Sequence, residues 1–177
     1  MINVVLFEPE IPGNTGNIMR TCVATNTKLH LIKPLGFSLE EKYIRRSGVN
    51  YIDNCIYELY ENWEDFITKH KEDINNMYFL TRYGHKPHTT FDYSDSSKDL
   101  YFVFGKESTG IPREILKPYL DRCMRMPMTD KVRALNLSNT VAIMVYEALR
   151  QQDYNDLLRD EPDDSGHKGD HFIEDAN

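Results

Sequence analysis

The chain has 177 residues, 28% of them charged and 40% hydrophobic, ordinary values for one globular domain with a sizeable core. No run of about 18 apolar residues exists, which argues against a transmembrane helix. The net charge of −7 belongs to one end: from Asp153 onward nine acids face two bases, so residues 1–152 are neutral overall and the excess says little about what the body binds.

The N-terminus lacks the basic start and long apolar core of a signal peptide, so a cytoplasmic location is expected. Residues 2–7 are rich in β-formers and read as a buried parallel strand. Pro9 and Pro12-Gly13 make a loop, and Asn14 or Thr15 is placed to cap a helix through about Asn26. Leu29–Lys33 reads as a second strand, closed by Pro34-Leu35-Gly36. Glu40–Arg46 reads as a helix, Ile52–Tyr57 as a strand and Asn62–His70 as a helix. Met77–Thr81 and Tyr101–Phe104 are strands that run into glycine-containing loops. Arg113–Tyr119 is a short helix, Cys123–Met126 a strand and Leu137–Gln152 the last long helix. Strands alternating with helices predict an α/β fold with a parallel sheet. The expected domain is 1–152, followed by an acidic tail, 153–177, too poor in apolar residues to fold by itself.

Cys22, Cys55 and Cys123 are odd in number and widely spaced. They support neither a disulfide framework nor a zinc site and read as reduced, buried thiols. His167 and His171 are spaced i, i+4, but they lie in the acidic tail, and no metal site is expected.

Ligands of open parallel sheets bind at the carboxyl ends of the strands. Three loops there carry unusual chemistry: Pro12–Arg20, Phe104–Pro112 and Met126–Asn139. Gly105-x-x-x-x-Gly110 has the glycine spacing of a Walker A loop, but Ile111-Pro112 stands where Lys-Ser/Thr is needed, so triphosphate hydrolysis is not expected. Gly13-x-x-Gly16 lacks the third glycine and downstream acid of a dinucleotide fingerprint. Each loop alone is also readable as a turn.

Together the loops are specific. Asn14-x-Gly16-x-x-x-Arg20, Phe104-Gly105-x-Glu107-x-x-Gly110-Ile111-Pro112 and Leu135-Asn136-Leu137-Ser138-Asn139 resemble the three ordered motifs of the SPOUT class of RNA 2′-O-methyltransferases. Phe7–Asn17, His30–Phe37 and Tyr146–Gln151 are similar to the minimal tRNA (cytidine/uridine-34-2′-O)-methyltransferases of that class. The resemblance covers about residues 1–152. It implies a parallel sheet flanked by helices with a deep C-terminal trefoil knot, S-adenosylmethionine as methyl donor with no metal, and a homodimer. It also implies a tRNA substrate, engaged at the anticodon stem-loop. Two other readings stay open: 2′-O-methylation of another RNA or position, and a non-catalytic RNA-binding protein that keeps the fold.

The resemblance also implies site residues. Backbone around Leu80, Gly105, Met126, Ala134, Leu135 and Asn136 would hold the cofactor, with Gly105 permitting close approach. Ala134 departs from the family pattern, where serine is usual, so a hydroxyl contact is missing there. Arg20, Glu107, Asn139 and Tyr146 are the catalytic candidates. A guanidinium stays protonated, so Arg20 is read as positioning and stabilising rather than as a base; its alternative is an ion pair with Glu8 or Glu10. Glu107 and Asn139 would orient groups, or cap a helix start. Tyr146 shares a helical stripe with Asn139, Ile143 and Arg150, at the site edge, across a dimer seam or in the core. The many apolar residues of that helix point to a dimer seam. RNA binding needs cations, and Arg45, Arg46, Arg82, Lys86 and Arg133 are the candidates. Arg82–His88 is the most RNA-like cluster and reads as a flexible loop.

Overall fold

The computed structural model describes residues 1–39 and 52–160. The predicted helix Glu40–Arg46, with Arg45 and Arg46, lies outside them, as do His167 and His171. Among the described residues seven strands are present: β1 (Ile2–Phe7), β2 (Lys28–Ile32), β3 (Tyr57–Tyr60), β4 (Met77–Leu80), β5 (Lys86–Pro87), β6 (Leu100–Gly105) and β7 (Cys123–Arg125). They form one sheet in the order β3-β2-β1-β6-β4-β7-β5, and every described pairing is parallel.

β1 is buried along its whole length because both faces of the sheet are covered. Ile2, Val4 and Leu6 point into one core and Val5 and Phe7 into the other. β6 repeats the alternation, with Leu100, Phe102 and Phe104 on the first side and Tyr101 and Val103 on the second. A strand sandwiched in this way has no polar face, which is why residues 2–7 show none in the sequence.

Helices α1 (Pro12–Ala24) and α4 (Leu137–Gln151) pack on each other, and α2 (Trp63–Lys69) closes the opposite core through Phe66. α1 begins before the residues expected to cap it. Pro12 occupies the first turn and Ile11 is the N-cap, with no side-chain cap bond; proline is suited to that turn because its missing N–H would be unsatisfied anyway. Asn14 and Thr15 are buried inside the helix instead. Ile52–Tyr57 is not one strand: Ile52–Asn54 forms a 3-10 turn and the strand runs Tyr57–Tyr60. The polar Asp53-Asn54 pair suits a turn, and pairing of Leu29 with Tyr57 sets the strand register. Arg113–Tyr119 is also shorter than predicted. α3 covers Arg113–Leu116, and a 3-10 segment kinked at Tyr119 follows.

The apolar side of α4 is mostly internal. Val141, Met144, Val145, Ala148 and Leu149 are buried in this chain's own core, leaving Ile143 and Tyr146 as the exposed large apolar residues of the helix, 43% and 47% accessible. Its apolar character is therefore explained in the main by the protomer itself, and Tyr146 is not a core tyrosine. Beyond α4, Tyr154 and Leu157 also pack against the core. Cys22, Cys55 and Cys123 are free and buried, as expected.

A polar chain runs through the second core. His30, fully buried on β2, bonds Asn3 Oδ1 at 3.0 Å and the Tyr60 hydroxyl at 2.8 Å. Tyr60 reaches His70 at 2.9 Å, and His70 reaches Tyr101 at 3.1 Å. The Asn3 amide is spent on the Leu100 carbonyl at 3.2 Å, so its oxygen must accept from His30 Nε2–H. Nε2 is therefore protonated, and in the neutral ring Nδ1 is left to accept from Tyr60. Burial and the neighbouring His70 push its pKa down to about 3.

Candidate active site

β1, β6, β4 and β7 are consecutive in the sheet, so the segments leaving their carboxyl ends lie side by side. They surround a cleft of about 670 Å³, in the range that suits a small-molecule ligand. Leu80, Gly105, Met126, Ala134, Leu135 and Asn136 all line it, so residues spread over 57 sequence positions meet in one place.

Gly105 ends β6 opposite Phe7 of β1. Its φ is +133°, and a Cβ there would sit 2.2 Å from the Phe7 carbonyl oxygen. Only glycine combines that backbone with that approach.

Two loops are stitched together by reciprocal carboxylates. Glu107 accepts from the Glu10 N–H at 2.9 Å, the Ile11 N–H at 3.3 Å and the Asn14 amide at 3.2 Å. Glu10 in turn accepts from the N–H and hydroxyl of Ser108, each at 2.8 Å, and these bonds hold its carboxyl below the usual range. Lys106 pairs with Glu8. Glu107 is thus bonded to the segment that opens α1, and Glu8 and Glu10 are both engaged with the Gly105–Gly110 loop.

The third loop joins through Asn136. Its amide donates to Asn14 Oδ1 at 2.9 Å, and its Oδ1 accepts from the Ser138 N–H at 2.9 Å, the Ser138 hydroxyl at 2.6 Å and the Asn139 N–H at 3.4 Å. Asn136 is therefore the N-cap of α4, the role considered for Asn139. Asn139 is exposed on the first turn. Ser138 is buried and its hydroxyl is spent on Asn136.

Glu107, Arg82 and Arg133 line the cleft together with the cofactor candidates; Arg20, Asn139, Tyr146 and Lys86 are not among its lining residues. Arg20 lies exposed on α1. The Arg82–His88 segment is more ordered by contacts than a flexible loop. Lys86-Pro87 pairs with Met124-Arg125 as β5, and Lys86 donates to the Asp121 carbonyl at 3.0 Å. Three further residues line the cleft in ways that residue pattern does not reveal. Asn14 belongs to the first motif, which does not reveal its bonds across the loops, Tyr83 is the one tyrosine of the Arg82–His88 cluster, and Arg125 ends an otherwise buried strand. Being the last residue of a strand at the cleft is the signal that marks Arg125.

An open parallel α/β sheet with a cleft at its strand ends, lined by Leu80, Gly105, Met126 and Leu135, has the form of a small-molecule site of α/β proteins. Comparison with known proteins is more specific. The chain belongs to the SpoU rRNA Methylase family, which matches residues 1–146. A Bacillus subtilis (strain 168) protein, named provisionally as a tRNA (cytidine(34)-2′-O)-methyltransferase, is 52% identical over 158 residues, covering 88% of this chain and 96% of its own. A crystal structure from Bacillus anthracis, described provisionally as an RNA methyltransferase, superposes with a TM-score of 0.83 at 53% identity, over 89% of this chain and 98% of that one. A structure concerned with the 2-OH methylation of C/U34 on tRNA gives 0.77 at 32% identity, over 87% and 97%. No helix among the described residues is long and apolar enough to cross a membrane.

Proposed function

We propose that the protein transfers a methyl group from S-adenosylmethionine to the ribose 2′-hydroxyl of nucleotide 34 in tRNA, cytidine or a modified uridine. The observation that carries this is the convergence of the loops after β1, β4, β6 and β7 on one cleft, in a chain 52% identical to a relative named for that reaction. The residues present fit the cofactor. Gly105 lines the cleft with no side chain of its own, Leu80, Met126 and Leu135 supply apolar lining, and strand-end backbone supplies donors and acceptors.

Bound S-adenosylmethionine supplies an electrophilic methyl; the protein's part is alignment and proton handling. Leu80, Gly105, Met126, Ala134, Leu135 and Asn136 form the holding set. Glu107, through Asn14 and the Glu10 and Ile11 N–H groups, keeps the loops in register around it. Arg20 positions the nucleotide and stabilises charge developing on the oxygen. Asn139 and Tyr146 contribute from α4, whose exposed stripe with Ile143 forms the seam of a homodimer in this reading. Arg45, Arg46, Arg82, Lys86 and Arg133 meet the anticodon stem-loop. The same reading includes a deep trefoil knot through the loops that follow β6 and β7. The return of α4 from the β7 side to pack on α1, β1 and β6 supports it. It further includes a cytoplasmic location.

The test is methyl transfer from labelled S-adenosylmethionine to a full tRNA pool, followed by nucleoside mass spectrometry mapped to position. The expected product is a 2′-O-methylated nucleotide 34. Modification of another position or of ribosomal RNA would replace the substrate, and cofactor binding without transfer to any RNA would overturn the reaction.

A further inference from the structure

The cleft carries a largely exposed aromatic side chain. Tyr83 lines the cleft and is 63% accessible, more than Tyr57 and Tyr146, the other exposed aromatic residues among those described. A tyrosine left this wet at a site costs solubility and gains nothing for the core.

Its position is nonetheless fixed. The Tyr83 N–H donates to Thr81 Oγ1 at 3.3 Å, and the Gly84 N–H donates to the Thr81 carbonyl at 3.2 Å. Gly84 is pressed against β7 so closely that a Cβ would lie 2.4 Å from the Met124 carbonyl carbon. The turn thus has one place to sit. The Arg82 guanidinium lies over the Tyr83 ring, 4.7 Å from its centroid, and bonds its hydroxyl. A ring braced by a guanidinium is a cation–π pair set in advance.

The surroundings are cationic. Arg125 and Arg133 line the same cleft, and among the described residues no carboxylate forms a salt bridge with Arg82, Arg125 or Arg133. A fixed, exposed ring beside unneutralised arginines matches the chemistry of single-stranded nucleic acid, which offers a flat π-face and a phosphate at each step.

We infer that Tyr83, braced by Arg82, is a stacking platform for an unpaired nucleobase of the RNA substrate, and that Arg125 takes the adjoining phosphate. The inference rests on the proposed RNA substrate and assigns two residues to its recognition. The alternative occupant of the ring is the adenine of the cofactor, which shares the π-face but would not need Arg125.

The experiment measures equilibrium binding of a fluorescently labelled tRNA anticodon stem-loop and, separately, of S-adenosylmethionine, to the full chain and to Tyr83→Leu, Tyr83→Phe and Arg125→Gln. Loss of one stacked base weakens RNA binding about 5- to 150-fold. That loss is expected for Tyr83→Leu, with Tyr83→Phe retaining most of the affinity, since the ring and not the hydroxyl does the stacking. Arg125→Gln is expected to lower the salt dependence of RNA binding by about one phosphate contact. In all variants cofactor affinity and thermal midpoint stay at the unaltered protein's values. Unchanged RNA affinity in Tyr83→Leu overturns the inference, as does an equal loss of cofactor affinity. Binding is read without turnover, so a failure of the unaltered protein to methylate tRNA counts against the proposed reaction and not against the platform.

Discussion

Asn136 donates its side-chain amide to the Asn14 side-chain oxygen at 2.9 Å, across 122 positions of sequence. The orientation of both amides is forced. Glu107 can only accept, so Asn14 must turn its NH₂ toward it, which leaves the Asn14 oxygen for Asn136. Asn136 then faces its own oxygen to the N–H groups that open α4. One chain of donors, each with a single possible direction, links the three loops of the cleft.

Breaking that chain at its centre is expected to loosen the cleft. Asn14→Ala leaves partly buried groups of Asn136 and Glu107 each short of a partner, at about 1–3 kcal/mol. Asn14→Asp is expected to be worse, because it sets a second carboxylate against Glu107. Chemical denaturation and calorimetric titration with S-adenosylmethionine check both. Equal stability and affinity for the two variants would contradict the assigned orientation.

Gly105→Ala is expected to destabilise the protein by about 2–4 kcal/mol, combining a strained backbone with overpacking. The new methyl would meet the Phe7 carbonyl, part of the central strand and not a flexible side chain. Reduced cofactor affinity should accompany the loss of stability. A denaturation midpoint equal to that of the unaltered chain would contradict the close approach of β1 and β6.

His30 makes stability depend on acid. Its folded pKa, about 3, lies below the value of about 6.5 in an unfolded chain. Between those values the unfolded state binds the extra proton, so stability falls as pH drops from about 6.5 toward 3 and is fully present above that window. His70 is shifted in the same direction, mainly by burial. His30→Gln is expected to lower stability at neutral pH and to flatten its pH dependence. Denaturation curves at several pH values read both effects, and an unchanged slope would remove His30 as their source.

Ile143 tests the proposed seam. It is exposed on α4 next to Tyr146 along the helix stripe, and a charge there cannot disturb the core that α4 covers. Ile143→Glu is expected to give a folded monomer by sedimentation, with methyl transfer reduced. A dimer of unchanged strength would place the interface elsewhere.

Much of this architecture is legible locally. β1 and β6 are recognised because covered strands carry apolar residues at every position. The α4 start is recognised because polar capping residues precede an apolar run. The cofactor candidates, from Leu80 to Asn136, follow from family motifs tied to strand ends, and they meet in one cleft. Asn14 is different. Its local signature is that of a helix cap, while its partners Glu107 and Asn136 lie 93 and 122 residues away. Tyr146 and Asn139 share a motif or stripe with the site, yet neither lines the cleft of the single chain.

The sequence alone therefore determined the fold class, the family resemblance and the set of loops that carry chemistry, since each depends on residue type and spacing along the chain. Only the tertiary structure decided which side chains of those loops are spent on one another. Hydrogen bonds pair specific atoms across the sheet order β1-β6-β4-β7, and that adjacency has no trace in local pattern. It turned Glu107 and Asn14 into the ties of the cleft and left Tyr83 as an exposed ring on its rim.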